Sequence, residues 1–245
     1  MFRKPWTRAV RRLRQPAARP LLAPAARRLA AGLVALCVVI TVVLGAQFAH
    51  QGRPGSLDRA VDSWLRAGLG HHPGLLNAGA WIGDAVPVTL ITVALVLACL
   101  VARRWRGAAL VAVAEPVAAA LTEFVLKPLI HRTLQGALSL PSGHSTRMFA
   151  LAGAGLILLA GPSRPRMPAA WRVLLVLAGY LIATAVAVAM VGMGAHYFTD
   201  TVAGAAVGTA VVLVTAFLLD RLGQPEQQPR PFPVRPPAPE RAVRR

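Results

Sequence analysis

The chain has 245 residues, 56% of them apolar and 15% charged, with a mean hydropathy of +0.55. Twenty-seven Lys and Arg against nine Asp and Glu leave a formal net charge of +18. Several windows longer than about eighteen residues carry almost no charge, which excludes an ordinary soluble domain and points to an all-α membrane protein. In a soluble chain the basic excess would suggest nucleic acid. Here the basic residues gather in the tails and short loops, the pattern that orients helices in a bilayer, so no nucleic-acid partner is expected. Only two of the basic residues are Lys, and Ala, Val, Gly and Pro abound, which fits a bacterial inner (plasma) membrane protein. Cys37 and Cys99 both lie inside apolar windows, so neither a disulfide nor a metal site is expected on them.

Taken in chain order, residues 1–28 carry nine basic groups and no acid, broken by Pro5, Pro16, Pro20 and Pro24. They read as a cytoplasmic tail able to lie on an anionic membrane surface. A first span is expected at about 29–48. Residues 56–69 follow with Leu57, Val61, Trp64, Leu65 and Leu69 on one helical face and Asp58, Arg59, Asp62 and Arg66 on the other. This pattern predicts a short interfacial helix on the outer leaflet, with Ser56 as its N-cap. Further spans are expected within 75–102 and at about 107–126, 145–160, 173–195 and 201–219. The fold expected is therefore a six-transmembrane helical bundle over residues 29–220. A Pro/Arg-rich disordered cytoplasmic tail would follow over 221–245.

The charges test this layout. Nine basic residues fall in the N-terminal tail, three at 103–106, three at Arg164, Arg166 and Arg172, and six from Arg221 onward. All of these share one side if six spans separate two cytoplasmic termini. The same parity places Lys127, Arg132, Pro141-Ser142-Gly143-His144 and His196-Tyr197-Phe198-Thr199-Asp200 together on the outer face.

Each of these residues has a plain alternative. His144 and His196 are the polar residues common at span mouths, and Ser142 and Asp200 suit N-caps. Lys127 sits where a lysine snorkels. Together they suit phosphoryl chemistry. A turn entering a helix offers free backbone N–H groups to phosphate oxygens, and Ser142 adds a hydroxyl. Lys127 and Arg132 add positive charge. An i, i+4 spacing allows Asp200 to fix the tautomer of His196 and leave its other nitrogen as a nucleophile, while His144 protonates the leaving oxygen. Arg147 lies one turn inside the fourth span, where a charge needs either a ligand or a carboxylate partner. Three intramembrane acids remain open: Glu123 pairs naturally with Lys127 at i, i+4, Glu115 precedes a kinking Pro116, and Asp84 sits near the outer end of the second span. A proton relay through them is a further possibility.

The Lys, the Pro-Ser-Gly-His tetrapeptide and the His-x-x-x-Asp together resemble the type 2 phosphatidic acid phosphatase superfamily, which includes vanadium haloperoxidases. The resemblance spans about residues 75–220. It implies a six-span bundle, no cofactor and no metal, and a phosphohistidine intermediate with His196 as nucleophile, Asp200 orienting it and His144 as general acid. It further implies phosphate binding by Lys127, Ser142 and Gly143. Leu134 stands where the family's first motif has Arg, with Gln135 in place of the following Pro; Met190 stands at the third motif's Arg. Arg132 and Arg147 are the candidates to replace that charge as substrate-binding residues.

The expected function is a metal-independent phosphoric ester hydrolase acting on a lipid phosphate or pyrophosphate at the extracytoplasmic face. The alternative is a non-catalytic lipid-phosphate-binding or envelope-assembly membrane protein. A proton-coupled transporter would show internal repeats, and none is visible.

Overall fold

The computed structural model describes residues 20–162 and 165–222. A 3₁₀ turn opened by proline, Pro24–Ala26, leads into α1 (Arg27–Phe48). Leu29, Leu36, Val39 and Val42 lie exposed along α1. A helix that is apolar all round is stable where its surroundings are apolar too, as in a bilayer.

α2 (Ser56–Leu69) is amphipathic in the way its sequence dictates, but its faces are set by the protein. Asp58, Asp62 and Leu65 are buried, while Leu57 and Trp64 stand exposed. The N-cap is Gly55, one residue earlier than expected, and its N–H donates to the Asp58 carboxylate at 3.0 Å. Asp58 is thus the N3 acid of a capping arrangement, which explains why the helix begins at Ser56.

The expected second span is two helices, α3 (Pro73–Ile82) and α4 (Ala85–Val101), bent by 46° at Gly83–Asp84. Asp84 has extended backbone at the N-cap position, and Pro87 sits in the first turn of α4, where a missing N–H costs no helical hydrogen bond. Gly83, at the break, has no room for a side chain. A Cβ at Gly83 would stand 2.6 Å from Val186 and 2.9 Å from the His144 ring.

α5 (Trp105–Leu121) contains Pro116, passes through a π-helical turn (Thr122–Leu126) and ends as the short α6 (Lys127–Ile130). His131, at φ 54°, stops it in the left-handed conformation. One small exception to the all-α expectation follows. β1 (Thr133–Leu134) pairs antiparallel with β2 (Ala137–Leu138) across Gln135 and Gly136, both at positive φ as a two-residue hairpin turn requires. The hairpin is pinned to the α1–α2 connection by Thr133 N–H to Gln51 C=O at 3.0 Å.

α7 (Gly143–Ala160), α8 (Ala169–Gly192) and α9 (Phe198–Leu222) complete the bundle. α7 is its most enclosed helix and packs against α4, α5, α8 and α9. Gly204 and Gly208 line the α9 face toward it: a Cβ at Gly208 would strike the Thr146 carbonyl, and one at Gly204 would reach the Ser142 carbonyl. Two glycines four residues apart therefore let the two backbones touch. At the opposite end of α9, Asp220 accepts from the N–H groups of Leu21 (2.7 Å) and Leu22 (3.0 Å) and lies 3.8 Å from Arg27 and Arg106.

Among the described residues four helices are long and apolar enough to cross a membrane: Pro24–Phe48, Trp105–Ile130, Ala169–Gly192 and Phe198–Leu222. The bent α3–α4 pair brings the number to five. α7, expected as the fourth span, stands outside that number; it has 18 residues and opens with Gly-His-Ser-Thr-Arg. Of the disordered tail expected over 221–245, Arg221 and Leu222 instead close α9; the rest of that tail and most of the N-terminal basic tail lie outside the described residues.

Candidate active site

The site begins with the turn at the head of α7. Ser142 caps the helix, its hydroxyl accepting from Ser145 N–H at 3.4 Å, and its side chain is fully buried. Gly143 is the first helical residue and has a clear local reason to be glycine. A Cβ there would collide with the Glu123 carboxylate and stand 3.9 Å from Lys127 Nζ. The Glu123–Lys127 pair, with Nζ 2.8 Å from each carboxylate oxygen, therefore lies directly on the start of α7. Lys127 thus reaches the Ser-Gly-His turn, with Glu123 as the i, i+4 partner expected of it.

Three backbone hydrogen bonds join the Pro-Ser-Gly-His turn and the His-x-x-x-Asp segment to their neighbours and to each other. Ser142 N–H donates to the Asp200 carbonyl at 2.9 Å. His196 itself precedes α9; its N–H and that of Ala195 donate to the Met190 carbonyl at 3.2 and 3.0 Å, closing α8 through Gly194 at φ 75°. Met190 thus holds the His196 turn by its backbone, while its side chain is buried.

Each histidine has a carboxylate. His196 Nδ1 lies 3.5 Å from Asp200 Oδ2, and the two side chains are 10% and 0% exposed. Asp200 is fixed on both oxygens: Oδ2 accepts from Tyr197 N–H at 3.0 Å and Oδ1 from Arg132 Nη1 at 2.7 Å. His144 Nε2 lies 3.0 Å from Asp84 Oδ1, in a pair 27% and 53% exposed. Asp84 has no role in the sequence reading beyond that of an intramembrane acid. The break between α3 and α4, with Asp84 at the new helix start, is what delivers it to His144.

Arg132 corrects an expectation. Its side chain is 0% exposed and both terminal nitrogens are occupied: Nη1 by Thr199 Oγ1 and Asp200 Oδ1, both at 2.7 Å, and Nη2 by Asp58 Oδ2 at 2.6 Å and the Arg53 carbonyl at 3.4 Å. The guanidinium is also stacked between Phe48 (3.8 Å) and Tyr197 (4.2 Å). A phosphate has no access to it, so Arg132 is not a substrate ligand. Arg147 takes the alternative that the sequence offers. Its Nε donates to Glu115 at 2.6 Å, beside a cavity of about 370 Å³ also lined by Thr89, Thr92 and Glu123.

Sequence reasoning missed Asp58 and Asp62. Asp58 Oδ1 accepts from Thr199 N–H at 2.8 Å, and Asp62 Oδ1 from Phe198 N–H at 3.1 Å, so α2 satisfies the first free N–H groups of α9. Burial pushes the Asp58 carboxyl up. The Arg132 bond and the N–H groups of Thr199 and Gly55 outweigh it and hold the group below its ordinary value. For Asp62 burial dominates and, with the Asp58 charge nearby, raises it against the opposing Phe198 N–H. Burial likewise raises the Tyr197 phenol. The only available signal was two acids four residues apart on the polar face of an amphipathic helix.

The PAP2 superfamily profile matches residues 29–223. The chain belongs to the PAP2 superfamily. The match begins well before the 75–220 stretch expected from the motifs and takes in α1 and α2. This PAP2 chain is also similar in structure to a transmembrane PAP2-type phosphatidylglycerolphosphate phosphatase from Bacillus subtilis, with a TM-score of 0.61 at 16% identity, over 76% of this chain and 94% of that one. At that identity the likeness is one of fold. No curated protein matches. Membership in PAP2 and several apolar helices make this a membrane protein of a phosphatase family.

Proposed function

We propose that this protein hydrolyses a lipid phosphate or pyrophosphate monoester at the extracytoplasmic face of the membrane through a phosphohistidine on His196. The observation that carries the reading is the Ser142 N–H to Asp200 C=O bond. It ties two histidine–aspartate pairs and the head of α7 into one constellation at one end of the bundle.

The reaction runs in two steps. The nitrogen of His196 turned away from Asp200 attacks phosphorus, forming the N–P bond as the bond to the lipid oxygen breaks. His144, protonated, gives its proton to that oxygen, and the lipid alcohol leaves. Water, losing a proton to His144, then attacks phosphorus; the N–P bond breaks, inorganic phosphate departs and both imidazoles are restored. Lys127 and the N–H groups of Gly143 and His144 at the start of α7 hold the phosphate oxygens, while the buried Ser142 hydroxyl caps that helix from within. No step uses a metal.

Asymmetry of charge supports the orientation. Six spans, with α3–α4 counted once and α7 included, put both termini and 21 of 27 basic residues in the cytoplasm. Trp64 and Leu57, exposed on α2 while its acids face inward, support an interfacial placement of that helix. A lipid substrate follows from the site's place at the end of helices whose outer faces are apolar.

One observation favours a second reading, a non-catalytic lipid-phosphate binder or assembly protein. Lys127 and Arg147 are both held by glutamates, and Leu134 and Met190 replace cations at the family positions. The test is phosphate release from a panel of lipid phosphates by detergent-purified protein in EDTA. Release abolished by His196→Ala and by His144→Ala supports the enzyme. Binding of the same lipids with no release establishes the second reading.

A further inference from the structure

Arg132 heads the largest side chains that are fully buried, and the reaction above does not touch it. A buried guanidinium is stable only when paired, and one carboxylate would suffice. This one is gripped by two from different helices, Asp58 of α2 at 2.6 Å and Asp200 of α9 at 2.7 Å. Its Asp200 bond takes Oδ1 and leaves Oδ2 facing His196 Nδ1 at 3.5 Å. With Tyr197 N–H on Oδ2 as well, the Asp200 carboxylate cannot rotate without breaking two hydrogen bonds. Asp58 is held by the N–H groups of Gly55 and Thr199, so the chain Asp58–Arg132–Asp200 is braced at both ends.

We infer that Arg132 and Asp58 are positioning residues for the nucleophile, acting through Asp200. The inference rests on His196 being the group that Asp200 orients. Arg132 also offsets the charge that Asp200 presents to His196. The other charged or titratable groups around this cluster are Asp62 with Arg66 on α2, Tyr197 in the loop, His144 of α7 with Asp84, and the Glu123–Lys127 pair at Gly143. A lysine in place of Arg132 lacks the planar fork that binds both carboxylates at once.

The test uses the full chain in detergent, with Arg132→Lys, Arg132→Gln, Asp58→Asn and the Asp58→Asn/Arg132→Gln double variant. Three quantities are read: thermal unfolding, kcat and KM for lipid phosphate hydrolysis, and the rate at which diethyl pyrocarbonate acylates His196 relative to His144, mapped on peptides. Arg132→Lys, which retains the buried charge, is expected to fold and to lose kcat about a hundredfold with KM nearly unchanged, as a displaced reacting group requires. The double variant, which removes opposite buried charges together, is expected to recover unfolding temperature over Arg132→Gln while kcat stays low. Relative acylation of His196 should shift severalfold in both. Wild-type kcat in Arg132→Lys, or recovery of kcat along with stability in the double variant, overturns the proposal in favour of a purely structural arginine. If the wild-type protein releases no phosphate from any lipid, the phosphatase reading falls. The acylation ratio then decides positioning by itself, an unchanged ratio overturning it.

Discussion

The two histidine–aspartate pairs share one end of the bundle and differ in nearly everything else. His196–Asp200 is buried, its carboxylate held on both oxygens and its geometry backed by α2 through Arg132. His144–Asp84 is open to solvent, with the Asp84 side chain more than half exposed and its carboxylate making no other hydrogen bond among the described residues. A nucleophile must be held at a fixed angle to phosphorus, which favours a rigid, desolvated setting. A group that gives a proton and takes one back in each turnover needs contact with water. The difference in burial supports the proposed roles, His196 as nucleophile and His144 as general acid and base.

Substitutions should separate the pairs in a graded way. His196→Ala removes the proposed nucleophile and is expected to reduce lipid phosphate hydrolysis by about 10⁴-fold or more, measured as inorganic phosphate release. Asp200→Asn keeps the shape but misdirects the ring, with an expected loss of about 10³–10⁴-fold in kcat, by analogy with the orienting carboxylate of a catalytic triad. Asp84→Asn should cost no more than about fivefold, because exposed pairs contribute at most about 1 kcal/mol. Comparable losses in Asp84→Asn and Asp200→Asn would erase the distinction between the pairs.

Two further tests address the frame that keeps them together. Gly208→Val drives a side chain into the Thr146 carbonyl and should destabilise the protein by about 1–3 kcal/mol, read as a lower unfolding temperature. The smallest effect concerns acid. Asp58 is held below its ordinary value when folded, so its stabilisation is fully present above the ordinary carboxylate range and is lost as pH falls through the lowered folded-state value. Asp58→Asn should flatten that acid-side decline in stability, and an unchanged slope would show that α2 does not clamp the site through this group.

Much of this architecture was legible in the sequence because membrane helices must be long and apolar and their loops are charged. The helix at 56–69, the glutamate partner of Lys127 and the proximity of the two histidine segments all follow from local spacing and parity. The α3–α4 break was not legible, since Gly83-Asp84 reads as an unremarkable pair until Val186 and the His144 ring press on it. The role of Arg132 was hidden for a different reason. Its partners Asp58 and Asp200 lie 74 and 68 residues away, and no periodicity encodes such a meeting. Charge beside a phosphate-binding motif suggested a ligand, whereas burial turned the same charge into support.

The most direct test of the account is the covalent intermediate. Rapid quenching with ³²P-labelled lipid phosphate should place label on His196, stable to base and labile to acid. In His144→Ala the label should both form and disappear more slowly, because the same imidazole serves as acid in the first step and base in the second. Turnover by the wild-type protein with no label on His196, or persistent labelling of His196→Ala, would contradict it.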